Sequence, residues 1–77
     1  MIQAEEVKAM VEKTFPDAQV EVEDQTGTMD HFYISVASSV FQGKMLLAQH
    51  RMVQSAVQEA LNDGRIHAIQ IKTSVPK

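Results

Sequence analysis

Apolar residues recur along this chain with two different periods, and the switches between them divide it into elements. From Ala4 to Thr14 the apolar positions Val7, Met10 and Val11, continued by Phe15, return every three or four residues, the spacing of one helix face. Glu5 and Glu6 in the first turn and Lys13 near the end match the helix dipole, and Pro16 stops the helix. From Ala18 to Asp24 the period drops to two. Ala18, Val20 and Val22 point one way and Gln19, Glu21 and Glu23 the other, as in a half-buried strand. Residues 25–30 form the connecting loop. A second strand from His31 to Ala37 turns Phe32, Ile34 and Val36 inward and His31, Tyr33 and Ser35 outward. Ser38 to Gly43 then leads, through a short 3₁₀ segment, into the next helix.

The stretch Phe41 to Ile71 organises the rest. At about 100° per residue from Met45, the residues Met45, Leu46, Met52, Val53, Ala56, Val57, Ala60 and Leu61 share one arc, while Arg51, Gln54, Ser55, Gln58, Glu59 and Asn62 share the other. This is one long helix lying on a core with a solvated back. Asn62-Asp63-Gly64 ends it, since Gly readily takes the left-handed conformation that closes helices. Two polar residues interrupt the arc: Gln49 within it and His50 near its edge. A last strand, Arg65 to Thr73, puts His67, Ile69 and Ile71 on the core face and Ile66, Ala68, Gln70 and Lys72 on the other. The helix end, the Asp63-Gly64 turn and the start of this strand form a rim around His67.

The predicted order is therefore α-β-β-α-β, an α+β sandwich with a three-stranded mixed sheet. Strands one and two pair antiparallel. Strands two and three, joined by a helix of crossover length, run parallel with a right-handed connection. The helices cover one sheet face and leave Glu21, Glu23, Tyr33, Ser35, Gln70 and Lys72 on the face open to water.

Length and composition narrow the picture. Seventy-seven residues fit one domain over the range 1–77, near the small end of what folds without staples. With no cysteine, the chain has no disulfide, no thiolate nucleophile and no thiolate metal ligand of its own. Its acidic N-terminus is unlike a signal peptide, and no segment approaches a membrane span, so a cytoplasmic protein without membrane contact is expected. The net charge of −3 is unevenly spread. Residues 1–38 hold Lys8 and Lys13 against eight acidic side chains, for −6. Residues 39–77 hold Lys44, Arg51, Arg65, Lys72 and Lys77 against Glu59 and Asp63, for +3. The second half can present a basic surface on an acidic protein, or merely scattered solubilising charge.

Catalytic chemistry has little to work with. There is no Ser or Cys nucleophile constellation, no glycine-rich phosphate loop and no HExxH metal motif. The adjacent pairs Glu5-Glu6 and Glu23-Asp24 read as solvated surface charge. Three histidines remain, His31, His50 and His67, and a non-enzymatic protein is expected.

The run Val20-Glu21-Val22-Glu23-Asp24, then His31-Phe32, Phe41-Gln42-Gly43-Lys44, Gln49-His50-Arg51 and Ile66-His67-Ala68, followed by Thr73 and Pro76, resembles the BolA-like family in its short form. The resemblance covers nearly the whole chain, and it implies a fold similar to a class II KH domain. It further implies a partnership with monothiol glutaredoxins, in which a two-iron two-sulfur cluster is bridged between the glutaredoxin, with its glutathione, and the BolA-like protein. The family's signature histidine falls on His67. Neutral imidazole is a good iron ligand and can replace thiolate on one iron; every thiolate would come from the partner. Family members supply a second ligand, Cys or His, from the loop between the first two strands. Residues 25–30 contain neither, so His31 at the loop's end and His50 on the helix are the candidates, with His31 ranked first.

An alternative implied by the same resemblance is a transcriptional regulator that binds DNA. KH domains grip the nucleic-acid backbone with a G-x-x-G loop. Only Gly43 stands in the corresponding turn, leaving Lys44, Arg51, Arg65 and Lys72 as contacts. A third possibility is an adaptor that docks glutaredoxin without metal. The isolated chain is expected to be a monomer, since no exposed apolar helix stripe calls for a second copy.

Overall fold

A computed structural model describes residues 2–25, 27 and 31–76. Helix α1 spans Ala4–Thr14, β1 Gln19–Asp24 and β2 His31–Ala37. A 3₁₀ turn at Ser39–Phe41 leads to α2, Leu46–Ala56, followed by α3, Gln58–Asn62, and β3, Ala68–Ser74. The strand order is β1-β2-β3, with β1 antiparallel to β2 and β2 parallel to β3. This is the mixed three-stranded α+β arrangement expected from the crossover helix. The expected loop at 25–30 lies, for Thr26 and residues 28–30, outside the described residues.

Alternation in β2 is complete: Phe32, Ile34 and Val36 are buried, and His31, Tyr33, Ser35 and Ala37 are half-buried. The inward set meets Val7 and Val11 of α1, Val53 of α2 and Val20 of β1 in one core, capped by Phe15 and Phe41, whose rings stand 5.6 Å apart. The opposite sheet face carries Glu21, Glu23, Gln70 and Lys72 into solvent. Ser38 caps the start of the 3₁₀ turn, its hydroxyl accepting from the Val40 N–H at 3.2 Å.

Three expectations need correction. The long helix is interrupted at Val57, whose backbone (φ −117°, ψ 14°) leaves the helical region. Its N–H donates to Gln54 O at 3.1 Å, and the following turn places Ala60 O where the Ile66 N–H donates to it, also at 3.1 Å. The apolar arc is not buried along its whole length either: Met45 is 81% and Leu46 62% exposed, because α2 begins beyond the end of the core. Gln49 fills the inward position of that first turn. Its amide donates to Phe41 O at 3.3 Å and Lys44 O at 2.8 Å, and its carbonyl accepts from the Thr73 hydroxyl at 2.5 Å. Finally, β3 starts at Ala68 rather than Arg65. Ile66, expected on the outer face, lies ahead of the strand and is 1% exposed, since strand parity holds only where there is a strand.

Candidate functional site

Two turns of chain converge on one end of the β2–β3 pair. At the end of β1 the Asp24 carboxylate accepts from the Gly27 N–H at 3.0 Å, and the Gln25 N–H donates to His31 O at 3.0 Å, closing the hairpin beside His31. Gly27 takes φ +74°, a conformation that favours glycine. On the other side, Gly64 (φ +85°) reverses the chain after α3. The Asp63 carboxylate accepts from the Arg65 backbone N–H at 3.0 Å and from the Arg65 guanidinium at 2.9 Å. Those bonds hold the Asp63 carboxyl below its ordinary pKa, the backbone N–H of Arg65 being the largest cause. Ile66 then drops into the core, and the next side chain, still ahead of the strand, is exposed.

His67 is that next side chain. Sequence parity assigned it to the core face beside Ile69 and Ile71; instead it is exposed, because the parity count begins only at Ala68. His31 pairs in register with Ala68, so His67 lies just ahead of the parallel ladder, next to the start of β2. The two imidazoles stack with centroids 5.8 Å apart and planes within 2° of parallel. His31 is half-buried and His67 exposed, which leaves the pair at the surface. His50 sits half-buried on α2; among the described residues it is His31, not His50, that stacks on His67.

The donor chemistry of this corner is that of imidazole nitrogen. Two imidazoles stand side by side at the surface. Among the described residues, no group of three or more His, Cys, Asp or Glu comes together to hold an ion. An iron-sulfur cluster needs about four protein ligands, of which two imidazoles would supply only a part.

The four cations singled out in the sequence sit on different elements. Lys44 lies in the turn before α2 and Arg51 on the exposed side of α2. Arg65 is held by Asp63, and Lys72 lies on the open sheet face. That face carries a shallow concavity lined by Glu5, Lys8, Glu21, Glu23, Tyr33 and Lys72, whose charged members are solvent-exposed. Sequence reading did not anticipate the Gln49 network; the signal was there, since Gln49 was the one polar residue in the middle of the apolar arc. Among the described residues, no helix is long and apolar enough to cross a membrane.

The family model for BolA-like proteins matches residues 5–77. The chain is 37% identical to the uncharacterised protein RP812 of Rickettsia prowazekii over 76 residues, covering 97% of each chain. It is also 37% identical to protein BOLA2 of Arabidopsis thaliana over 73 residues, covering 94% of this chain and 76% of that one. In three dimensions it is similar to BolA1 from Arabidopsis thaliana, with a TM-score of 0.84 and 26% identity over 95% of this chain and 90% of that one. A family match over nearly the full length, joined to the shared fold, establishes that this chain belongs to the BolA-like family.

Proposed function

We propose that this chain is a non-enzymatic partner of a monothiol glutaredoxin and contributes His67 and His31 to a two-iron two-sulfur cluster held between the two proteins. The observation that carries the reading is the surface-exposed stack of His31 on His67. It answers the difficulty raised by a β1–β2 loop without Cys or His: the second imidazole is the first residue of β2, and it already lies against the first. His67 is the more exposed of the two, and His31 is set in the strand. Ile66 in the core and the Asp63–Arg65 turn position His67 from one side, and the Gln25–His31 backbone bond positions His31 from the other.

With no cysteine in the chain, the partner and its glutathione supply the thiolates. The cluster, when bound, supplies one-electron chemistry and can be passed on; the chain's own part is to offer imidazole nitrogens, whose weaker donation than thiolate raises the potential of the iron they bind. The test mixes the protein with a cluster-loaded monothiol glutaredoxin and follows visible absorption and circular dichroism. A new spectrum that His67→Ala abolishes supports the reading. A complex that forms without any spectral change contradicts it and leaves docking without metal.

A further inference from the structure

The two edges of the sheet are unlike. β1 carries Glu21, Glu23 and Asp24 among its six residues, the kind of charge that keeps an edge from pairing with another chain. β3, at the other edge, runs Ala68-Ile69-Gln70-Ile71-Lys72-Thr73-Ser74, with one charge and neither Pro nor Gly. Among the described residues no strand but β2 pairs with it. The core also thins toward this edge. Phe32 and Ile34 of β2 are fully buried, whereas their register neighbours Ile69 and Ile71 of β3 are only half-buried. Gln49 bonds Thr73, so the first turn of α2 stands over the end of the same strand, and there Met45, Leu46 and Leu47 are 81%, 62% and 63% exposed. The monomer expected from the sequence rested on a fully buried apolar arc, which this turn is not.

β3 is complementary to itself. In an antiparallel pair related by a two-fold axis through Ile71, Ile71 faces Ile71, Ile69 faces Thr73, and Gln70 faces Lys72 of the second copy. Core-face residues meet core-face residues, and no like charges stand opposite one another. Moving the axis to Lys72 sets lysine against lysine, and pairing β1 with itself brings its carboxylates together, both unfavourable. We propose that two copies of this chain associate antiparallel along β3 about a two-fold axis at Ile71, forming one continuous sheet with the helices of both copies on the same face. Such a contact is isologous and closes at two subunits. The competing contact, β3 against the acidic β1 of a second copy, matches opposite charges but leaves an edge free at each end and grows without closing.

Gln70 and Lys72 are both exposed, so the register can be tested without entering the core. Sedimentation equilibrium of the isolated protein, from micromolar to millimolar concentration, would compare the wild type with Gln70→Glu and Gln70→Lys, each checked for fold by circular dichroism. The expected result is a concentration-dependent rise toward twice the monomer mass. Gln70→Glu, which places a carboxylate opposite Lys72 twice per dimer, tightens association about two- to thirty-fold, and Gln70→Lys weakens it by a similar factor. A monomer mass throughout overturns the proposal, as does association that neither variant alters. Species beyond the dimer that Gln70→Glu weakens overturn it in favour of β3 on β1. The measurement uses the isolated chain, so its outcome is independent of glutaredoxin binding.

Discussion

Replacing Gln49 with Met isolates what one polar residue does inside an apolar arc. Methionine has a similar length and fills the same space, so little cavity is created, but all three side-chain bonds go. Those bonds run to Lys44 O at 2.8 Å, Phe41 O at 3.3 Å and the Thr73 hydroxyl at 2.5 Å. Phe41 O keeps a partner, since the Lys44 N–H also donates to it at 3.0 Å, and the Thr73 hydroxyl is left half-buried. Two good bonds at about 1 kcal/mol each, with a smaller share for the long one, give a loss of about 2–3 kcal/mol. That is a large part of the roughly 4–11 kcal/mol expected for a domain of this size. Urea unfolding followed by circular dichroism reads it as a lower midpoint at unchanged slope. Gln54→Met, on the exposed side of α2, serves as control and is expected within about 0.5 kcal/mol of wild type. In a double-mutant cycle, Gln49→Met and Thr73→Val couple by at least about 0.5 kcal/mol. If Gln49→Met is as stable as Gln54→Met, the bonds joining the Gly43 turn, α2 and β3 contribute nothing and the reasoning fails.

Other consequences follow from the same geometry. Phe41→Ala removes a fully buried ring packed on Phe15 and should cost about 3–5 kcal/mol by thermal or urea unfolding, enough to leave the protein marginal. The Asp63 carboxyl is lowered in the folded state, so its stabilisation is present above its unfolded pKa and lost as pH falls through the folded one. Asp63→Asn should therefore be less stable than wild type at neutral pH, with the gap closing in acid; a gap independent of pH would contradict this. Lys44 and Arg51 are the two of the four candidate cations that share the α2 region, so any DNA binding there should show a log–log salt slope no steeper than about −2 in a fluorescence-anisotropy titration. A much steeper slope would mean that Arg65 and Lys72 join the same surface.

Much of the fold was legible because two periods dominate the chain. The three- and four-residue spacing of Val7 and Val11 sets α1, and the strict alternation from His31 to Ala37 sets β2 and its buried face. The crossover length between β2 and β3 correctly implied a parallel pair. What periodicity could not reveal was where an element has a neighbour. A helical arc fixes the direction of Met45 and Leu46 but not whether any core lies there, and these two point past its end. For the candidate site, the outward placement of His31 followed from alternation within an uninterrupted strand. The orientation of His67 did not, because it depends on the chain reversal at Gly64 and on Ile66 entering the core before the strand begins. The stack of the two histidines is a tertiary fact set by the β2–β3 register, which no local pattern records.

The most direct test of the central claim is the visible circular dichroism of the mixture with cluster-loaded monothiol glutaredoxin, recorded for wild type, His67→Ala, His31→Ala and His50→Ala. The account predicts a wild-type spectrum distinct from that of glutaredoxin alone, lost in His67→Ala, altered in His31→Ala and unchanged in His50→Ala. A wild-type spectrum that persists in both His67→Ala and His31→Ala would contradict it.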